Sequence, residues 1–346
     1  MELNFSDYLA LFFTAFIFVG ALTPLVRKIA FRIEILDAPT ESHKTHKEAI
    51  PYLGGVAIII GTCLTTYLAI LVSEQVSTLW LASAVLIPAV LMGVIGLVDD
   101  IKRLSPWPRF IAQNLFGLVI AVILIATSTL GSPTGNTIID VAITTLWIVG
   151  ITNSINFFDN VDGGASGTVA ISSLFLFFLA LQGGQYAIAA LSLVLTGATT
   201  GFLLWNKPPA RIYMGDAGAL FLGILIATLT LRFDPNPINL SASFALPILL
   251  LAVPILDTSV AVISRLRRRI SPFQGGQDHL SHRLMRAGLS KRQAVLSLWI
   301  ISAFYGFTAI AISNAPYNLE NSIVAVAAVV WTISFFLFLK TASGPS

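Results

Sequence analysis

The chain has 346 residues, of which 56% are hydrophobic and only 11% are charged. A soluble domain of this length would carry about 25% charged residues, so the composition excludes an ordinary soluble protein. The net charge of +3 is modest and gives no reason to expect a nucleic-acid partner. The apolar runs are continuous rather than alternating, which favours membrane-spanning helices over a β-barrel.

About eleven apolar segments are long enough to cross a bilayer as helices. They cover residues 8–26, 53–73, 79–98, 110–130, 138–156, 166–182, 185–205, 217–232, 241–264, 294–313 and 321–340. We therefore predict an all-α integral membrane protein that forms one domain over residues 1–346. The first segment follows two acidic residues and is too long for a secretory signal, so we predict that it is a retained helix.

Threading these segments alternately through a membrane sorts the basic residues to one side. That side receives 19 of the 20 Lys and Arg residues, and only Arg232 falls on the other. The positive-inside rule makes the basic side cytoplasmic, with the N-terminus outside and the C-terminus inside. The same side receives all four histidines and the tightest acidic clusters. We therefore expect a multi-pass protein of the inner (plasma) membrane whose active site faces the cytoplasm.

The first cytoplasmic loop ends in Gly54-Gly55, at the start of a predicted helix. Glycine permits close backbone approach, and a helix N-terminus attracts phosphate. Lys44, His46 and Lys47 precede the glycines and are candidates for substrate binding, the lysines as point charges for a phosphate. An ordinary basic loop is the alternative.

Asp99 and Asp100 end the third apolar segment and are followed by Lys102, Arg103 and Arg109. Two adjacent carboxylates repel each other and need cations nearby to stay ionised. Oxygen-rich sites of this kind suit Mg²⁺, which takes one or two carboxylates and shares substrate phosphates. The alternative is a helix end with local salt bridges, although acidic residues at a helix C-terminus oppose its dipole.

Four amide and acidic side chains follow the fifth segment: Asn153, Asn156, Asp159 and Asp162. If the segment is helical, the first three share one face. Asparagine amides can bond a nucleobase edge or a ribose hydroxyl, and carboxylates can bond a metal or ribose. The spacing of an EF-hand calcium loop is absent. A polar turn between helices is the alternative.

Two more clusters lie on the same side. Asp216, in the sequence MGDAG directly before an apolar segment, is either an N-cap or a metal ligand. His279 and His282 fit a phosphate or sugar contact better than zinc, because no Cys or Glu follows at a suitable spacing. The basic run 265–269 is either part of this cluster or an anchor for anionic lipids. Asp257, inside the ninth segment, is either a site residue or a buried structural partner.

Taken together, these clusters resemble the polyprenyl-phosphate N-acetylhexosamine-1-phosphate transferase family, from about Asp37 to Arg283. The branch that transfers N-acetylglucosamine 1-phosphate to undecaprenyl phosphate is the more similar one, because the contiguous histidines of the phospho-N-acetylmuramoyl-pentapeptide transferases are absent. The family implies transfer of a sugar 1-phosphate from a UDP-amino sugar to undecaprenyl or another polyprenyl phosphate, with release of UMP. It also implies Mg²⁺, with Mn²⁺ as the alternative metal, and favours a homodimer.

By matched position, the resemblance implies three sets of site residues. The catalytic set is Asp99, Asp100, Asp159, Asp162, His279 and His282. The substrate-binding set is Lys44, His46, Lys47, Arg103, Asn153, Asn156 and Arg283. The metal-binding set is Asp216 with Asp99 and Asp100. At the turn after the fifth segment, Asn160 and Gly164 depart from the residues that the family commonly has there.

Two other protein classes stay open from the sequence. A transporter would carry paired polar residues at mid-membrane depth and broken helices in both halves, and here only Asp257 is available. A CDP-alcohol phosphotransferase would have an arginine six residues into the motif that begins at Asp162, where this chain has Gly167. Both readings are weaker than the sugar-phosphate transferase.

Overall fold

The computed structural model describes residues 3–37, 49–73, 76–127, 134–234, 240–272 and 276–341, which are almost entirely helical. The helices in these ranges are α1 (Phe5–Arg32), α2 (Gly54–Val72), α3 (Val76–Lys102), α4 (Pro106–Ala126), α5 (Thr137–Phe158), α6 (Gly164–Gln182), α7 (Tyr186–Asn206), α8 (Gly215–Arg232), α9 (Leu240–Leu250), α10 (Ala252–Arg267), α11 (Leu280–Arg286), α12 (Lys291–Ser313) and α13 (Tyr317–Lys340). Two short strands, β1 (Leu36–Asp37) and β2 (Ile50–Pro51), pair antiparallel.

Within the described ranges, ten helices are long and apolar enough to cross a membrane singly. Helices α9 and α10 pass the same test only as a bent pair, which raises the number of spans to as many as eleven. The prediction of an all-helical membrane protein with about eleven spans is confirmed at this level. The chain is therefore a multi-pass membrane protein.

Helix α8 forms the centre of the bundle, and every residue from 217 to 230 is buried. A helix that is apolar all round is stable only when neighbours cover it on every side. Its first turn packs closely on α2, because a Cβ added to Gly55 would lie 2.1 Å from the backbone nitrogen of Gly218. At the periphery, only 6% of the apolar stretch of α13 is buried in the protein.

The segment predicted as one helix over 241–264 is instead two helices, α9 and α10, which meet at 77°. Pro254 lacks an N–H, so the carbonyl of Leu250 has no helical partner there. The hydroxyl of Ser172, on α6, donates to that carbonyl at 2.6 Å. Broken helices persist at membrane depth only where such internal partners satisfy the backbone. The prediction of one uninterrupted helix over 241–264 was therefore wrong, although α9 and α10 together can still form one span.

Replacing Ser172 by alanine should lower the free energy of unfolding by about 1 kcal/mol, because the buried carbonyl of Leu250 loses its donor. Unfolding of the purified protein in detergent, followed by intrinsic fluorescence, measures the change. Ser297→Ala is the matched control, since that hydroxyl is exposed and donates only within its own helix. Equal stability of the two variants would argue against a structural role for the Ser172 hydroxyl.

The described helices alternate in direction, so one end of the bundle collects a defined set of termini. These are the C-terminal ends of α1, α3, α5, α7, α10 and α13 and the N-terminal ends of α2, α4, α6, α8 and α12. Backbone bonds join two of these ends directly: the amides of Gly54 and Gly55 donate to the carbonyls of Tyr213 and Met214, each at 2.9 Å. Because these amides are occupied, close backbone approach, rather than the predicted phosphate contact, accounts for the glycine pair.

Candidate active site

The polar ends of the helices enclose a cleft of about 350 Å³ at this end of the bundle. Its walls come from segments far apart in sequence. The lining residues are Asp37, Tyr52, Asp100, Asn156, Asp159, Asn160, Val161, Asp162, Asn206, Tyr213, Gly215, Asp216, Gly276, Gln277, His279, His282 and Lys291. Seven residues predicted for the site therefore line one cleft: Asn156, Asp100, Asp159, Asp162, Asp216, His279 and His282.

Asp100 holds the start of α8 in place. Its two carboxylate oxygens accept from the backbone N–H groups of Asp216 and Ala217, at 2.9 and 3.1 Å. The N-terminus of a helix favours a negative charge, which offsets the position of Asp100 at the unfavourable C-terminal end of α3. Asp216 lies in the first turn of α8 and makes no cap bond of its own. The N-cap alternative for Asp216 is therefore wrong, and Asp100 serves that purpose from another helix.

Asp216 is the point at which three helices meet. One of its oxygens accepts from the side-chain amide of Asn156, on α5, at 2.7 Å. The other accepts from the guanidinium of Arg109, on α4. The same guanidinium nitrogen also donates to Asp99, whose other oxygen accepts from the backbone N–H of Leu104 at 2.5 Å. Arg109 therefore bridges two of the carboxylates that the sequence singled out, although Asp99 itself lies behind the cleft lining.

Asp159 has a different environment from its neighbours. Its carboxylate makes no hydrogen bond or ion pair within the described part of the chain. Desolvation in the cleft raises its pKa well above the usual range, and the charges of Asp216, Asp100 and Asp162 raise it further. A carboxyl group in this position gains from a cation or a hydrogen-bond donor supplied by a ligand.

Asp162 is fully engaged. It accepts from the backbone N–H of Ala210 at 2.9 Å and from the ammonium of Lys291, the first residue of α12, at 3.2 Å. The adjacent turn at Gly163 has φ +71°, which glycine adopts without strain. The side-chain oxygen of Asn206 accepts from the N–H of Gly163 at 3.0 Å. These bonds fix the turn that carries Asp162 and Gly163 against the end of α7.

A buried network holds His279. Its Nε2 accepts from Arg265 at 3.2 Å, so its Nδ1 carries the proton and donates to Asp257 at 2.7 Å. The second oxygen of Asp257 accepts from the backbone N–H of Leu280 at 2.7 Å. Both ring nitrogens of His279 are therefore occupied by protein groups. Asp257, for which the sequence left two roles open, supports the histidine segment from α10.

Of the two histidines that the structure describes, His282 is the one with capacity for a ligand. Its Nδ1 lies 3.5 Å from the hydroxyl of Ser281, and no protein partner contacts Nε2 within the described residues. Burial, with a smaller contribution from neighbouring His279, lowers its pKa from 6.5 to about 4. The imidazole is therefore neutral near pH 7 and offers one donor and one acceptor.

The remaining predicted site residues lie elsewhere. Asn153 donates to Gln113, on α4, at 2.6 Å and lines a separate cavity of about 40 Å³ between α4 and α5. Arg103 is exposed at the end of α3. Arg283 is buried and donates to the carbonyls of Phe338 and Thr341, at 2.9 and 2.6 Å, so it holds the end of α13 rather than lining the cleft. Its predicted substrate contact has no support from this geometry.

Lys44, His46 and Lys47 lie outside the described residues.

The basic run of residues 265–269 is divided: Arg265 and Arg268 pair with buried Asp278, whereas Arg267 and Arg269 are exposed. Half of the run therefore serves an internal network, and only the other half is available for the predicted contact with anionic lipids.

Several residues that line the cleft were not predicted as site residues from the sequence. Tyr52 and Tyr213 flank the glycines of two helix starts, and burial raises the pKa of both phenols, so both stay protonated donors. Asn206 is the last residue of α7 and Gln277 lies in a loop, and in the sequence both look like ordinary polar residues beside a turn. Lys291 directly follows the N-cap residue of α12, on the predicted basic side. That position could have marked it as a candidate site residue.

The donor set fits Mg²⁺. Among the described residues, no three His, Cys, Asp or Glu side chains form a preassembled metal site. Mg²⁺ does not require one, because it typically binds through one or two carboxylates together with water and substrate phosphates. Asp216, Asp100 and Asp159 supply only oxygen ligands at one cleft, and Asp159 is unpaired.

A multi-pass helical membrane protein with a carboxylate-rich and amide-rich polar cleft at one end of its bundle is the class that this fold and site define. Residues 82–234 match the model of glycosyl transferase family 4. The chain is 34% identical to a probable undecaprenyl-phosphate N-acetylglucosaminyl 1-phosphate transferase of Bacillus subtilis (strain 168), over 93% of this chain and 89% of that protein. The chain belongs to glycosyl transferase family 4, and the predicted resemblance is confirmed.

Two further relatives define the range of the family. The chain is 31% identical to the decaprenyl-phosphate N-acetylglucosaminephosphotransferase of Mycolicibacterium smegmatis, over 92% of this chain and 86% of that protein. It is 25% identical to the phospho-N-acetylmuramoyl-pentapeptide-transferase of Staphylococcus carnosus, over 85% of this chain and 94% of that protein.

Proposed function

We propose that the protein transfers N-acetylglucosamine 1-phosphate from UDP-N-acetylglucosamine to undecaprenyl or another polyprenyl phosphate and releases UMP. One observation carries the proposal: the cleft collects the carboxylates and amides of five separated segments in a chain 34% identical to a relative named for this reaction. The product would be the first lipid-linked intermediate of a cell-envelope polysaccharide.

The reaction brings two anions together. An oxygen of the lipid phosphate attacks the β-phosphorus of the donor, and the bond from that phosphorus to the bridging oxygen breaks, so UMP leaves with its electron pair. A phosphate monoester is largely dianionic near neutral pH, because its second pKa is about 6. A strong general base is therefore not required.

The protein groups divide the remaining work. Asp216 and Asp100, which both line the cleft, would hold Mg²⁺, and the metal would neutralise charge on the phosphates. Arg109 already contacts Asp216 and Asp99 and places a permanent positive charge beside them. Asn156 orients Asp216, and His282 offers a neutral ring to the sugar-phosphate end of the donor. Asp159 supplies an unpaired carboxyl group for a donor hydroxyl or for the metal.

The location follows from the substrates. The acceptor's phosphate lies at the headgroup level, and the donor is water-soluble, so the cleft belongs at the membrane interface. By the positive-inside rule, this interface is on the cytoplasmic side of the plasma membrane. We also propose that the enzyme forms a homodimer and that residues 1–346 act as one domain.

The proposal also specifies which sugar phosphate is transferred. A phospho-N-acetylmuramoyl-pentapeptide transferase is the second candidate, since one relative with that name is 25% identical. N-acetylglucosamine is preferred because the relatives named for it are 34% and 31% identical. A transporter is disfavoured, because the described polar groups cluster at one end of the bundle rather than at mid-depth.

A direct assay tests the reaction. Purified protein in detergent is given undecaprenyl phosphate, Mg²⁺ and a panel of UDP-sugars that carry one label on the sugar and another on the β-phosphate. We expect UMP in the aqueous phase, both labels in the lipid phase, and inhibition by tunicamycin. Release of UDP, or transfer of the sugar label alone, would contradict the proposal, and flux without chemical conversion would favour the transporter.

A further inference from the structure

The cleft has an unbalanced set of charges. Its described lining residues include five carboxylates, namely Asp37, Asp100, Asp159, Asp162 and Asp216. The single Lys or Arg side chain among those same residues is Lys291. A nucleotide sugar with a diphosphate would be repelled by such a surface unless cations offset the charge. Given the proposed function, Lys291 is the one permanent cation that the described lining offers to such a substrate.

Lys291 is held in a defined place. Ser290 caps α12, and Gln293 completes a reciprocal capping box, since its side chain accepts from the N–H of Ser290 at 2.9 Å. A capped first turn fixes the backbone from which the lysine extends. The Lys291 ammonium then reaches Asp162 at 3.2 Å, across 129 residues of sequence.

Lys291 keeps donors available after that contact. An ammonium has three N–H groups, and Asp162 is its one partner among the described residues. The side chain is 30% exposed, whereas that of Asp162 is 7% exposed. The nearby guanidinium of Arg109, by contrast, is already shared by Asp99 and Asp216. Among the described lining residues there is therefore one ammonium that is both anchored and accessible.

We propose that Lys291 is a substrate-binding residue whose ammonium donates to the phosphate of the UMP half of the donor, the α-phosphate that remains with the nucleotide after transfer. Asp162 positions the ammonium and offsets its charge while the site is empty. A charge-assisted hydrogen bond to phosphate is stronger than a neutral one, so its loss should be measurable as a change in affinity.

The test compares two ligands that differ only in the phosphate. Lys291→Met should weaken binding of UMP by about tenfold or more, in line with the value of a hydrogen bond to a charged group. Binding of uridine should stay within about twofold of the wild type. Isothermal titration of the purified full-length protein measures both, and Lys291→Arg should restore most of the UMP affinity.

The neighbouring residue provides a matched control. Arg292 is also cationic and lies on the same turn, but it is exposed and donates to the carbonyl of Pro208 at 3.2 Å, outside the cleft. Arg292→Met should bind UMP like the wild type. Unchanged UMP affinity in Lys291→Met, or an equal loss for uridine, would overturn the assignment. Wild-type protein that binds no UMP would instead contradict the proposed function itself.

Discussion

Replacing Asp216 by asparagine should lower the rate of sugar-phosphate transfer by about 100-fold or more, which is typical when a charge-stabilising group of an active site is removed. The substitution keeps the shape of the side chain but removes its charge. Arg109 then loses one of its two carboxylate partners, and the proposed metal loses its central ligand. Release of UMP by the purified variant, titrated with Mg²⁺, measures the effect.

A second aspartate beside the same helix controls for the loss of a charge. Asp234 is exposed just beyond the other end of α8, outside the lining of the cleft. Asp234→Asn should therefore turn over at the wild-type rate. The metal assignment fails if Asp216→Asn matches wild-type turnover at limiting Mg²⁺, and a fall in both variants would indicate a general loss of folded protein.

The helices were predictable because each one depends on the composition of a single continuous stretch of the chain. A run of about 20 apolar residues predicts a span whatever lies beside it, and most predicted segments coincide with a helix to within a few residues. The break between α9 and α10 was not predictable in the same way. Pro254 was visible in the sequence, but a donor for the freed carbonyl was needed, and Ser172 lies 78 residues from Leu250.

The kinds of residue in the site were predictable from the sequence, whereas the hydrogen bonds and ion pairs between them were not. Asp100, Asp159 and Asp216 were singled out because carboxylates at a membrane edge are costly, and all three line the cleft. Two of the contacts that hold them depend on packing across more than 100 residues. Asp100 bonds backbone 116 residues away, and Arg109 reaches Asp216 across 107 residues.

Neighbours in sequence can have unrelated roles, and the histidine segment shows why. The motif containing His279, His282 and Arg283 predicts one joint function. In the structure, His282 faces the cleft with a ring nitrogen available, His279 is bonded on both sides, and Arg283 anchors α13. On α11 and at its cap, successive residues point to different sides of the helix, so a short motif is divided among contacts that only the fold determines.

The second large effect is expected at Asp257. Replacing it by alanine leaves the N–H of Leu280 and the Nδ1–H of His279 without acceptors in a fully buried site. We expect the free energy of unfolding to fall by about 3 kcal/mol, since each buried donor left unpaired costs about 1–3 kcal/mol. Thermal unfolding in detergent, compared with Ser297→Ala, measures this loss.

The variant Asp257→Asn distinguishes the role of Asp257 in orienting His279 from its contribution to stability. If its oxygen faces Leu280, its amide faces Nδ1 of His279, and the ring must then carry its proton on Nε2, against the donating Arg265. The conflict should displace the segment that carries His282 while leaving much of the packing intact. We expect turnover to fall by about tenfold or more, with a smaller loss of stability than in Asp257→Ala. Wild-type turnover in Asp257→Asn would show that these bonds do not control the site, because either orientation of the amide disrupts one of the two present bonds, the one to the His279 ring or the one to the N–H of Leu280.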